Sequence, residues 1–215
     1  MNWRYADKPI EIFGAEEQLP EYEQKSTYFA QQKLDGWCCY LVVDDDISSL
    51  GVGDPAWDRS NGLYFLSRRD MKKGGPTEIP VSGDMVSDVR SLGLPNKTIL
   101  VCEWMKRRTD DLGFPECLYL IDSIYIADQY VGDRGASERF AVLPCIDGLS
   151  NLRTPETVDS GFLDFYNAQK ELPYTEGIVL KRSTGRLLGD PAGAKKSGHM
   201  LKLKWRSGFD GRDIV

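Results

Sequence analysis

Short runs of β-branched and aromatic residues, each closed off by Gly, Pro, Asn or Asp clusters, recur along this chain and constrain its fold more than any other feature. They lie at 37–43, 63–67, 98–105, 118–126, 177–182 and 200–205, and their lengths and composition predict strands. Helical periodicity is clearest at 84–92, 136–143 and 160–172, where Phe162, Phe165 and Tyr166 recur at spacings of three and four. The segments 44–62 and 184–198 read as loops, the second carrying four glycines and paired lysines. Helices interrupt the strands without a regular strand–helix–strand alternation. The expected fold class is therefore α+β, with mainly antiparallel sheets and flanking helices rather than a doubly wound parallel sheet.

Composition narrows the setting. The 215 residues, 41% hydrophobic and 28% charged, suffice for one globular domain over 1–215. No apolar run approaches the roughly 18 to 20 residues of a membrane span, and the N-terminus lacks the basic and apolar regions of a secretory signal. A cytoplasmic protein without membrane contact is expected. Five cysteines without C-x-x-C spacing, and a single histidine, His199, argue against a disulfide framework and a Cys/His zinc site. The net charge of -6 hides an asymmetry: from Glu176 onward nine basic residues stand against four acidic ones, +5, leaving -11 on the first 175 residues. A basic C-terminal fifth on an acidic body suggests a localised anion site, phosphate above all; a solvated basic face is the alternative.

The chemistry-bearing residues fall in a sequence of short motifs. Lys33-Leu34-Asp35-Gly36 precedes an apolar strand, which places a lysine at a strand entrance, a carboxylate two positions on, and a glycine that permits close backbone approach. Ser67-Arg68 closes the next strand, Glu103 lies within Val101-Cys102-Glu103-Trp104, and Asp122 ends Tyr119-Leu120-Ile121-Asp122. Glu176-Gly177-Ile178-Val179-Leu180-Lys181 and Lys202-Leu203-Lys204 complete the series.

In this order and context the residues resemble the covalent nucleotidyltransferase superfamily of ATP-dependent DNA ligases, RNA ligases and mRNA-capping guanylyltransferases. The family's lysine-x-aspartate-glycine, serine-arginine, strand glutamate, aromatic-aspartate strand, glutamate-glycine-x-x-x-lysine and lysine-x-lysine motifs all have counterparts, spanning about four fifths of the chain. The first, fifth and sixth matches are specific, the others loose. The resemblance implies a nucleotidyltransferase (ATP-grasp-like) domain whose Lys33 attacks the α-phosphorus of ATP, releases pyrophosphate and holds AMP as a phosphoramidate.

On that pattern Lys33, Lys202 and Lys204 are the catalytic candidates. Gln31, Asp35, Arg68, Glu103, Ile121, Glu176, Val179 and Lys181 would hold the nucleotide. Gln31 would lie near the adenine, Ile121 and Val179 on the purine faces with Tyr119 as a further stacking group, and Arg68 at a ribose or nucleic-acid phosphate. Glu103 and Glu176 would position Mg²⁺, with Mn²⁺ as a substitute, or the ribose hydroxyls, since Mg²⁺ takes one or two carboxylates and keeps water. Lys181, Lys202 and Lys204 would supply a cationic field that neutralises the triphosphate and lowers the pKa of the attacking amine. Arg182, Lys195, Lys196 and Arg206 would contact nucleic-acid phosphates. Asp122 would orient its neighbours, and Trp37, Trp104 and Trp205 would pack in the core.

Departures from the family also matter. DNA ligases and capping enzymes commonly carry arginine five residues after the nucleophile, where this chain has Cys38, and one branch of RNA ligases has serine or threonine where Trp37 stands. Only 11 residues follow Lys204, too few for the oligonucleotide-binding barrel of most relatives, so no OB-fold domain is expected. A minimal ligase, a truncated chain, and one that borrows this domain from a partner protein are the readings of that fact. The leading expectation is an ATP-dependent polynucleotide ligase for DNA or RNA, acting on a nicked duplex or on single-strand ends, in the cytoplasm or the nucleic-acid compartment of a virus-infected cell. A GTP-dependent capping guanylyltransferase and a non-catalytic nucleotide- or nucleic-acid-binding module are the alternatives.

Overall fold

The computed structural model describes residues 1–14, 16–50, 62–69, 74–106 and 115–205. They build two sheets. The first joins β1 (Lys8–Glu11), β11 (Lys196–Lys204), β10 (Thr175–Arg182), β2 (Tyr28–Leu34) and β9 (Thr157–Val158) in that order. The second runs β4 (Leu63–Ser67), β3 (Trp37–Val43), β5 (Thr98–Met105), β6 (Cys117–Ile126) and β7 (Gln129–Tyr130), with β8 (Leu152–Arg153) beside β6. Pairing is antiparallel except between β1 and β11 and between β6 and β8. Among the described residues four α-helices flank the sheets: α1 (Leu19–Gln24), α2 (Gly83–Ser91), α3 (Ala136–Ala141) and α4 (Phe162–Lys170). The α+β class expected from the sequence is the class observed. Among the described residues no helix is long and apolar enough to cross a membrane.

Alternation along the strands sorts side chains into layers. Tyr40 and Val42 of β3, with Ile99 and Val101 of β5, face a core shared with Trp3, Tyr5, Leu187 and Met200. The intervening Cys39, Leu41, Leu100 and Cys102 face the opposite core, which α2 covers with Met85 and Val89. Helix α2 starts where the Ser82 side chain accepts the Met85 N–H at 3.3 Å, satisfying a donor that has no partner inside the helix. On the outer face of the first sheet, Ala30, Ile178, Leu180 and Leu203 lie under Phe162, Phe165 and Tyr166 of α4. Full burial of a side chain such as Phe162 is worth about 1.5–3 kcal/mol, so this apolar stripe fixes α4 and leaves the sheet's inner face for other use.

The strands expected at 37–43, 63–67 and 98–105 coincide with β3, β4 and β5. Strand β11 instead starts at Lys196, inside the segment expected to be a loop, because pairing of Lys8 and Pro9 with Lys196 and Ser197 extends it. Residues 28–34 form β2, which the polar Gln31, Gln32 and Lys33 concealed in the sequence. Lys33 is therefore not at the entrance of the strand that follows it but near the end of the one before. The chain then bends at Asp35 and Gly36 and passes from the first sheet into β3 of the second.

Candidate active site

A cleft of about 360 Å³ lies between the inner faces of the two sheets. The first sheet contributes Gln31, Lys33, Val179, Lys181, Met200, Lys202 and Lys204; the second contributes Cys38, Val101, Glu103, Ile121 and Asp122. Arg68, just after β4, and Asp7 and Lys8 of the N-terminal segment complete its polar wall. Seven basic and four acidic side chains line it, a cationic excess suited to a polyanion. A second, shallower hollow of about 530 Å³ beside Arg153, Glu156 and Tyr174 holds Tyr119 but none of the charged motif residues.

Two strand irregularities aim the site. On β10, Thr175 pairs with Leu34 and Gly177 with Lys33, so Glu176 is an extra residue without a partner on β2. Strict alternation would put Glu176 with Ile178 and Leu180, toward α4; the bulge turns it to the cleft instead. On β6, Val101 pairs with Asp122 and Cys102 with Leu120, which leaves Ile121 as the extra residue. Both Ile121 and Asp122 consequently line the cleft. Gly177 sits between Lys33 and Lys204 on the neighbouring strands, and a Cβ there would collide with the Leu203 carbonyl oxygen. Gly36 is confined as well: a Cβ would lie 2.8 Å from Trp104 O and 2.9 Å from Glu103 Cγ.

Glu176 is the electrostatic centre. Lys33 Nζ donates to its Oε1, and Lys204 Nζ donates to its Oε2 at 2.5 Å. Burial disfavours this carboxylate, but Lys33 and Lys204 outweigh it and hold the group below its ordinary value. Glu103 shows the reverse balance: burial pushes it up, and the charges of Lys33 and Arg68 offset only part of the shift. Its Oε1 accepts the Gly36 N–H at 3.1 Å. Burial lowers Lys181 despite Asp122, whose Oδ2 is 3.7 Å away, and Lys181 Nζ donates to Ile121 O at 3.2 Å.

The lysines expected to supply a cationic field each stand beside a carboxylate. Lys202 meets Glu11 at 2.7 Å, Lys204 meets Glu176, and Lys181 meets Asp122. An uncompensated ammonium in a partly buried cleft is costly, which is why the carboxylates accompany the lysines. Asp122 is further held by Arg139, which is 1% exposed and donates to Oδ1 at 2.8 Å and Oδ2 at 3.1 Å. Arg139, Glu11, Asp7 and Lys8 were not singled out from the sequence. Only their charge marked them there, on a chain rich in charge.

The remaining expected residues divide. Asp35 lies outside the cleft lining; its N–H binds Tyr174 O at 3.0 Å. Tyr119 belongs to the shallow hollow rather than to the cleft, so it is no stacking group for a base there. Lys196 lines the cleft, whereas exposed Lys195 is tied to Asp190. Arg182 shares the β10 alternation of Ile178 and Leu180, opposite Val179 and Lys181, so it is not gathered with Lys196. Arg206 falls outside the described residues. Trp37 and Trp104 pack edge to face in the core beneath α2, and Trp205 packs on Tyr166. Cys38 lines the cleft beside Arg68, whose N–H binds Cys38 O at 3.3 Å.

The fold is similar to that of solved DNA ligase domains. The ligase domain of M. tuberculosis LigD matches with a TM-score of 0.60 at 12% identity, covering 93% of this chain and 59% of that one. A mycobacterial DNA ligase D complexed with ATP and MES matches at 0.54 and 14% identity, over 85% of this chain and 56% of that one. A Lig E DNA ligase, described as binding DNA with a minimal scaffold, matches at 0.53 and 12% identity, over 93% and 68%. The chain thus spans less than two thirds of the length of the first two. No protein-family model and no curated protein sequence matches it.

Proposed function

We propose that the chain is an ATP-dependent polynucleotide ligase that charges Lys33 with AMP. The observation that carries this reading is the convergence of Lys33 and Lys204 on the two oxygens of Glu176, at one wall of a cleft with a cationic excess. The cleft's volume falls within the roughly 300–1,000 Å³ of small-ligand sites.

Lys33 attacks the α-phosphorus; its N–P bond forms as the bond from that phosphorus to the bridging oxygen breaks, and pyrophosphate leaves. The amine must be neutral to attack, so Lys33, which is 19% exposed, gives its proton to solvent and leaves Glu176 first. Lys202 and Lys204, on one face of β11, meet the phosphates, and Ile121 and Val179 meet the purine from facing walls. Positioning and charge neutralisation carry most of such a reaction, and these residues supply both. AMP then passes to a 5'-phosphate, and a 3'-hydroxyl displaces it to join the ends.

Glu103 and Glu176 are the residues that would hold hydrated Mg²⁺, which when bound neutralises charge on the phosphate oxygens. Glu103 suits this, because Gly36 occupies only its Oε1. Among the described residues no cluster of three or more His, Cys, Asp or Glu forms a metal cage, and Mg²⁺ bound beside phosphates needs none.

The test is incubation with Mg²⁺ and ATP, or GTP in parallel, followed by intact mass, and a gel assay of nicked duplexes with each DNA and RNA strand combination. The expected result is one AMP added through an acid-labile, alkali-stable bond, absent from Lys33→Ala, and a sealed nick. An adduct that survives Lys33→Ala, or none on the wild type, overturns the reading.

A further inference from the structure

Two buried polar atoms of the cleft have no role in the chemistry above. Asp7 is 5% exposed and Gln31 is 2% exposed, and both line the cleft. Asp7 Oδ1 and Gln31 Nε2 make no hydrogen bond. Buried polar atoms are paired in the great majority of cases, so two left unpaired in one cavity point to a ligand that pairs them. They are chemically unlike: the carboxylate oxygen accepts and the amide nitrogen donates.

Asp7 is held in place, and Gln31 has a fixed strand register. The other Asp7 oxygen, Oδ2, accepts the Leu188 N–H at 2.8 Å. The backbone before Asp7 is pinned by the Ala6 N–H donating to Tyr40 Oη at 3.0 Å, and Trp3 and Tyr5 pack edge-on against the Tyr40 ring. The backbone after it enters β1. Gln31 sits inside β2 opposite Val179, the residue assigned to a purine face.

We propose that Asp7 is a specificity-determining residue that accepts the 6-amino group of adenine while Gln31 donates to N1, so that the pair selects ATP over GTP. This rests on the nucleotidyl-transfer reading of the same cleft. The edge of adenine formed by its 6-amino group and N1 presents one donor and one acceptor side by side, the complement of the two unpaired atoms. Guanine could take Gln31 on its 6-oxygen and offer N1–H to Asp7, but its 2-amino group brings one donor more. Oδ2 is already occupied by Leu188, so that donor is buried without a partner, a costly arrangement.

The test compares initial rates of adduct formation, by intact mass, with ATP, GTP and purine riboside triphosphate, which lacks the 6-amino group. Wild type should prefer ATP over both by about tenfold or more. Asp7→Asn keeps an oxygen for Leu188 but turns a donor to the base, so the preference over purine riboside triphosphate should vanish. Inosine triphosphate, with a 6-oxygen and no 2-amino group, should become a better substrate than it is for the wild type. Each variant is read as a ratio between nucleotides in one protein sample, so loss of folded protein cancels. Gln31→Leu provides an independent reading: wild type should discriminate ATP from 1-deaza-ATP, and this variant should not. Unchanged ratios in Asp7→Asn, or a wild type that prefers GTP, overturn the inference while leaving nucleotidyl transfer intact. A wild type charged by none of the triphosphates overturns the parent reading and this one with it.

Discussion

Lys33 and Glu176 are ion-paired across the β2–β10 ladder at the one place where β10 carries a residue more than its partner strand. The bulge gives the carboxylate its direction, and Lys204 at 2.5 Å on the other oxygen completes a lysine–glutamate–lysine chain over three strands. The two amines are thereby held to one point, which on the ligase reading places nucleophile and phosphate-binding group together before any nucleotide arrives.

Replacing Glu176 by Gln should test that arrangement. Adduct formation should fall by about tenfold or more, with a melting temperature at pH 7 lower by only about 2–4 °C, the equivalent of about 1 kcal/mol in a chain of this size. The acid side carries the sign. Glu176 is held below its ordinary value of 4.5, so its contribution is complete above that value and is lost as pH falls through the lower folded value. Melts from pH 3 to 7 should therefore show a flatter acid limb in Glu176→Gln; an unchanged limb would remove the ion pair from the stability of the fold.

Gly177→Ala should damage the site through the backbone. The new Cβ would meet Leu203 O and lie 3.1 Å from Lys204 Cα, and a paired strand cannot yield as a side-chain tip can. A loss of about 1–3 kcal/mol in urea unfolding is expected, with a larger proportional loss of adduct formation as Lys204 leaves Glu176. Gly198→Ala on β11 is the control, because nothing lies within 4 Å of its added carbon. Equal effects of the two substitutions would refute the steric argument.

The sequence made β3, β4 and β5 legible because a short apolar run rich in β-branched and aromatic residues is a property of each strand alone. It marked Lys33, Glu176, Lys202 and Lys204 by spacing, and the fold brings all four to one cleft. Bulges are a different matter. Whether Glu176 or Ile121 faces the cleft depends on the count of residues in the opposite strand, which no local pattern contains. The same limit hid β1 and the first half of β11, which support each other by parallel pairing between distant segments. Asp7 and Arg139 were invisible for a further reason: burial distinguishes them, and burial of a charge follows from tertiary packing.

Glu103→Gln should separate function from stability. Burial raises this carboxyl, so above its ordinary value of 4.5 the folded protein bears a charge that the unfolded chain solvates better. Gln removes that penalty and retains an oxygen for the Gly36 N–H. The melting temperature should rise at pH 7–8, the gain should shrink toward pH 4, and adduct formation should drop. A lower melting temperature at pH 8 would show that the charge itself stabilises the fold.

Arg139 and Asp122 form a fully engaged buried pair, with Arg139 Nη1 also donating to Arg134 O at 2.6 Å and Gly185 O at 2.7 Å. Removing one partner leaves a buried charge uncompensated, so Asp122→Asn or Arg139→Leu should each cost about 3–5 kcal/mol in urea unfolding. The double replacement should cost less than the sum of the two. Strict additivity would mean that the pair is not coupled.

Nucleic-acid docking gives the last prediction, because the structure separates lysines that are adjacent in sequence. Lys196 lines the cleft, on the β11 face that carries Lys202 and Lys204, while Lys195 is bound to Asp190 on an exposed surface. On the ligase reading, a phosphate of the nicked strand reaches Lys196 and not Lys195. Lys196→Ala should weaken binding of a nicked duplex severalfold and flatten the dependence of log K on log salt by about 0.9, the slope of one phosphate contact. Lys195→Ala and Arg182→Ala should leave both quantities near the wild type, since the first residue is already paired and the second shares the alternation of Ile178 and Leu180. Anisotropy titrations with a labelled nick over a salt series measure all three. Equal losses from Lys195→Ala and Lys196→Ala would place the polynucleotide on the exposed basic surface instead, and the cleft would then receive only the nucleotide and the strand end.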